Sequence, residues 1–90
     1  MHIETSSADR VVAPIKQRLL LRFAKVKGIV GPKWREILAR NDPFFDTRMG
    51  EAYMRSVAQA YSDPKRGNVD RMERVTLALE RIAGITSMPI

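Results

Sequence analysis

Apolar residues recur in steps of three and four along most of this chain, and no segment alternates strictly enough for a strand. The first series is Val12, Ile15, Leu19, Phe23 and Val26. That spacing lines one face of an α-helix. Pro14 suits a first helical turn, where its missing N–H loses no partner. The pattern therefore predicts a helix from about Ala13 to Lys27, with Gly28 as a left-handed cap. Arg18, Arg22 and Lys25 share a different face of it. Gly31-Pro32 restarts the chain, and Trp34, Ile37 and Leu38 form a short second stripe. Asn41-Asp42-Pro43 ends that stripe, because a residue before proline is pushed out of helical geometry. Trp34, the only tryptophan, is expected as a core anchor. Phe44 and Phe45 follow in a loop, where they are expected to plug the core from one side.

Asp46 or Thr47 caps a third helix. Met49, Tyr53, Val57 and Ala60 form its expected inner stripe, with Ala52 and Tyr61 beside it. Gly50 weakens the helix near its start but admits a close neighbour. Ser62 to Asn68 contains Pro64, Gly67 and Asn68 and reads as a loop. Asp70 and Glu73 resemble a capping box for a fourth helix, with Asn68 as the alternative cap. Met72, Val75, Leu79 and Ile82 are its inner stripe, and Gly84 ends it. The result is an all-α chain: a compact four-helix domain over residues 10–84. A polar flexible tail is expected before it at residues 1–9, and a short apolar tail after it at residues 85–90.

Composition narrows the functional classes. Ninety residues supply one core, not two. The formal charge is +6, and eleven of the sixteen basic residues are arginine. Such a balance favours an anionic partner. There is no cysteine, and the one histidine is His2, so neither a disulfide nor a metal site is expected. The usual nucleophile–base constellations are missing. Glu36, Glu51, Glu73 and Glu80 each sit on a helix among arginines and are expected to form a solvated, salt-bridged face. No glycine-rich phosphate loop is present. The chain is therefore not expected to be an enzyme, nor to use a cofactor or a small-molecule substrate. The first helix has the basic, amphipathic composition of an interfacial helix, but a core helix shares that pattern. No run reaches membrane-spanning length, and no apolar signal-peptide core is visible, so a cytoplasmic location is expected.

The third helix carries the chemistry. Arg48, Arg55, Gln59 and Ser62 are spaced seven, four and three residues apart and share its polar face. Arginine can make two hydrogen bonds to guanine, and glutamine two to adenine. Arg48, Arg55, Ser56 and Gln59 are the candidate base contacts. Lys33, Arg35, Ser62, Lys65, Arg66 and Asn68 are the candidate phosphate contacts, which supply grip and register rather than sequence choice. Double-stranded DNA is the favoured partner, since the chain lacks the aromatic sheet surface typical of single-strand RNA readers. A rival reading is a small interaction module that binds an acidic protein through Phe44, Phe45 and arginines. The two readings part on whether those phenylalanines are buried or exposed. A nucleic-acid coat without sequence choice would need the same charge but no readout face.

The run Tyr53-Met-Arg55-Ser-Val57-Ala, the turn Lys65-Arg66-Gly67-Asn68, and the stretch from Val69 through Leu79-Glu-Arg-Ile82-Ala-Gly84 resemble the end of phage Cro/repressor-like helix-turn-helix domains. The resemblance covers residues 31–84. It implies that the helix from Pro32 supports and the helix from Asp46 recognises. It places Arg48, Arg55, Ser56 and Gln59 toward DNA and Val57 toward the core. It further implies a small transcriptional regulator of phage, prophage or plasmid type, acting as a homodimer on a two-fold operator. The tail from Ile85 to Ile90 and Leu77 are candidate dimer surfaces.

Overall fold

The computed structural model describes the backbone of residues 7–85 and the side chains of residues 14–85. Four α-helices and one short 3-10 helix follow one another: α1 (Ser7–Val30), α2 (Trp34–Asn41), the 3-10 helix (Pro43–Asp46), α3 (Arg48–Ser62) and α4 (Val69–Ala83). Helix α1 packs along α4, and α3 packs on α4 and on the 3-10 helix. The all-α expectation holds, and the described residues contain no strand.

Helix α1 is longer than expected at both ends. It begins at Ser7, so Ser7, Ala8 and Asp9 are helical rather than part of a flexible tail. Pro14 lies inside the helix, where its missing N–H removes one backbone hydrogen bond. Residues 1–6 of the expected tail, the side chain of Val12, and residues 86–90 lie outside the described residues. The expected stop at Gly28 is displaced by one turn. Gly31 instead takes the left-handed conformation, at φ 101°. The extra turn carries Val30 against the core, next to fully buried Val26. A glycine that closes the helix after a useful apolar residue outcompetes one that closes it before.

The core gathers Leu19, Phe23 and Val26 from α1, Trp34 and Leu38 from α2, Phe45, Val57 and Ala60, and Met72, Val75 and Leu79 from α4. Phe23 meets the edge of Trp34 with ring centroids 5.1 Å apart, which confirms Trp34 as an anchor. Phe44 and Phe45 form part of the 3-10 helix rather than a structureless loop. Asp42 caps that turn by accepting the Phe44 N–H at 3.1 Å. Thr47 caps α3, accepting the Gly50 N–H at 3.0 Å and donating to the Phe44 carbonyl at 2.6 Å. Gly50 lies directly against the 3-10 helix: an added Cβ would stand 2.2 Å from the Phe44 carbonyl oxygen. Asn68, not Asp70, caps α4, and Gly84 ends it at φ 76°.

One ion pair joins α1 to α4. Arg22 Nη2 donates to Glu80 Oε1 at 2.7 Å, and Arg22 Nε donates to Glu80 Oε2 at 3.1 Å. Glu80 is 5% exposed, so this carboxylate is not the solvated one expected from sequence. The Glu80 hydrogen bond holds the Arg22 guanidinium above its ordinary pKa, against the opposing effect of burial. Among the described residues no helix is long and apolar enough to cross a membrane.

Candidate nucleic-acid interface

Helix α3 turns its inner side toward α4 and the 3-10 helix, and that docking fixes which side faces water. Gly50, Met54, Ser56, Val57 and Ala60 are buried. Val57 and Ala60 match the expected inner stripe. Met49 does not: it is 54% exposed, and Met54 takes the buried place. Tyr53 is half-buried, and Tyr61 is exposed beside Phe23. The helix is thus rotated slightly from the face that its apolar residues alone define.

The polar stripe survives that rotation. Arg48, Arg55, Gln59 and Ser62 are all exposed. None of the four side chains has a hydrogen bond, ion pair or ring stack among the described residues. Other arginines are committed to the fold. Arg22 holds Glu80, Arg71 lies over Tyr53 at 5.1 Å, Arg74 lies over Phe44 at 4.2 Å, and Arg35 lies over Trp34 at 5.2 Å. Arg48 and Arg55 have no such commitment among the described residues.

Ser56 departs from the expected base-contact set. It is 7% exposed, and its hydroxyl donates to the Ala52 carbonyl at 3.1 Å while accepting from Arg71 at 3.5 Å. The loop before α4 covers it. Gly67, at φ 101°, comes so close that a Cβ there would stand 2.6 Å from the Ala60 Cβ and 2.9 Å from the Ser56 carbonyl oxygen. Only glycine permits that approach, and the approach lays Lys65 and Arg66 against the end of α3.

The candidate phosphate contacts divide similarly. Lys33, Arg35, Lys65 and Arg66 are exposed. Lys33 precedes α2 and makes no side-chain cap. Arg66 approaches Asp63 at 3.7 Å, a loose and solvated pair that offers little hold. Asn68 is partly spent, because its Oδ1 accepts the Arg71 N–H at 3.2 Å as the α4 cap. A shallow groove runs past Arg55, Ala58, Gln59, Ser62, Asp63 and Arg66, joining the polar stripe to the basic loop. A second cleft, between α2 and α3, places Glu36, Asp46 and Glu51 beside Arg35 and Arg55. Those carboxylates make the cleft unfavourable to phosphate, whereas the groove along the C-terminal half of α3 has Asp63 as its one carboxylate.

Sequence reading missed the part that α1 plays here. Lys16 is 9% exposed and donates to the Lys65 carbonyl at 3.4 Å, and the Lys27 ammonium sits 4.7 Å from the centre of the Tyr61 ring. Lys27 therefore borders the C-terminal end of α3, and Lys16 borders the loop that follows it. The one available signal was a charge run: from Arg10 to Arg35 there are eight basic residues and no acidic one.

The rival surface is closed. Phe45 is fully buried, and Phe44 is half-buried between Tyr53 and Arg74. Neither is free to anchor a partner. Of the candidate dimer surfaces, Ile85 is half-buried against the core and Leu77 is half-buried beside Arg74 and Arg81. No family model, curated protein or solved structure matches this chain.

Proposed function

We propose that this protein binds double-stranded DNA through the exposed face of α3 and acts by occupancy as a small transcriptional regulator of phage, prophage or plasmid type. The observation that carries the proposal is the stripe of Arg48, Arg55, Gln59 and Ser62, exposed together and without internal partners among the described residues. Side chains of these types on one face suit hydrogen bonding to base edges in the major groove. Lys33, Lys65 and Arg66 flank the stripe and grip phosphate, whereas Arg35 lies over Trp34 in the cleft beside Glu36, Asp46 and Glu51 and is left out of the grip. Full burial of Phe45 and half-burial of Phe44 favour this reading over an aromatic-anchored protein module. The protein serves as a binding domain rather than an enzyme, in the cytoplasm. It engages a two-fold site as a homodimer.

The test separates readout from grip. Arg55→Ala is expected to relax base preference at one position, by about 1–3 kcal/mol of discrimination. Lys65→Ala is expected to weaken all duplexes alike and to lower the salt slope by about one unit. Fluorescence anisotropy against a random duplex at two salt concentrations, followed by selection from a random pool, reads both effects. Salt-sensitive binding with no enriched motif would convert the regulator into a nucleic-acid coat. Absence of binding at low salt would refute the DNA reading altogether.

A further inference from the structure

Helix α1 has four sides, and the fold uses three. Leu19, Phe23 and Val26 face the core. On one flank Arg22 holds Glu80. On the other, Lys16 reaches the Lys65 carbonyl and Lys27 covers Tyr61. The outward side carries Arg18, Leu21, Lys25, Gly28 and Ile29, whose spacing sets them along one line.

Three features of that side have no internal explanation. Leu21 is 68% exposed and Ile29 is 57% exposed, two turns apart. Arg18 and Lys25 make no ion pair among the described residues. Gly28 sits within the helix, and a Cβ there would have no heavy atom within 4 Å. A glycine in the last turn of α1 weakens that turn, and no neighbour in this fold needs the space. That open space leaves the helix backbone uncovered beside Lys25 and Ile29, where another helix can approach closely.

We propose that this stripe docks an acidic amphipathic helix of a partner protein, with apolar residues against Leu21 and Ile29 and carboxylates against Arg18 and Lys25. Charge complementarity selects this occupant. A duplex would satisfy the two cations but leave both aliphatic side chains facing water or phosphate. A bilayer needs a broad apolar face, and here cations alternate with single aliphatics along the line. A second copy of α1 would set Arg18 and Lys25 against the same residues, with no carboxylate on either stripe. From Arg18 to Ile29 the stripe runs about 16 Å, enough for three turns of a partner helix. The site is separate from the α3 face and does not depend on the DNA reading.

The experiment titrates the full isotope-labelled chain with a stapled helical peptide of about four turns, bearing leucines on one face and glutamates on both flanks. A peptide of equal composition with its leucines scattered is the control. Amide shifts are expected along residues 14–30 only for the patterned peptide. Leu21→Glu and Ile29→Glu, both exposed and checked for folding by circular dichroism, are expected to weaken it about tenfold each. Gly28→Leu should do the same by occupying the open space over that glycine. Arg55→Ala should bind the peptide unchanged. Absence of shifts, shifts centred on α3, or equal binding of the scattered peptide would overturn the proposal. So would binding of anionic phosphatidylserine vesicles, without peptide binding, that Leu21→Glu abolishes. A self-dimer seen by sedimentation and abolished by Leu21→Glu would give the stripe to a second copy, and would equally overturn it.

Discussion

Replacing Gly50 with alanine sets two opposing effects against each other. Alanine is the better helix former, by about 1 kcal/mol. Its methyl, however, would stand 2.2 Å from the Phe44 carbonyl oxygen and 2.4 Å from the Phe45 Cα. Both distances are roughly 1 Å or more inside ordinary van der Waals contact. Both atoms belong to backbone, so no rotamer change can clear them. The 3-10 helix is also held at each end, by Asp42 and by Thr47. Overpacking of this kind costs about 1–3 kcal/mol, and a backbone obstacle places it at the upper end. The net is a loss of about 2 kcal/mol, which lowers Tm by about 10 °C in a domain of this size. Gly28→Ala supplies the control. It has the same propensity gain and no neighbour within 4 Å, so Tm should rise by about 5 °C. Thermal and urea unfolding followed by far-UV circular dichroism would measure both. A Gly50→Ala variant as stable as Gly28→Ala would refute the packing of α3 on the 3-10 helix.

Two further substitutions test the interior. Arg22→Met leaves the buried Glu80 carboxylate without its partner; since Arg22 is itself about one-third exposed, the loss should be about 2 kcal/mol in urea unfolding. The contribution of Arg22 has a defined pH range. Its pKa is raised, so its stabilisation is fully present below the ordinary arginine value and fades only as pH rises beyond it; the wild-type minus Arg22→Met difference should stay flat through moderately alkaline pH. Thr76 Oγ1 is buried with no hydrogen-bond partner, so Thr76→Val should stabilise the fold by about 1 kcal/mol, and a destabilised variant would show that the hydroxyl is satisfied.

The sequence by itself determined the elements whose signals are local. The steps of three and four located all four helices. Thr47, Asn68 and Gly84 act within a turn of their own positions, so the sequence narrows each N-cap to two residues, one of which is the cap. The stripe of Arg48, Arg55, Gln59 and Ser62 was legible for the same reason: helical periodicity fixes which residues share a face, whatever that face meets.

Tertiary structure decided what each face meets. Two glycines three residues apart could each have ended α1, and the burial of Val30 selected the later one. Ser56 carries the same polar signal as Gln59, yet the Gly67 turn, eleven residues on, folds back and covers it. Met49 and Met54 are equally apolar, and only the docking of α3 made one exposed and the other buried. Glu80 reads as a surface charge until Arg22, fifty-eight residues earlier, is laid beside it. The eight cations from Arg10 to Arg35 were likewise countable, but not assignable to one surface or three. Local pattern encodes direction around a helix axis, while burial, pairing and vacancy belong to contacts between segments distant in the chain.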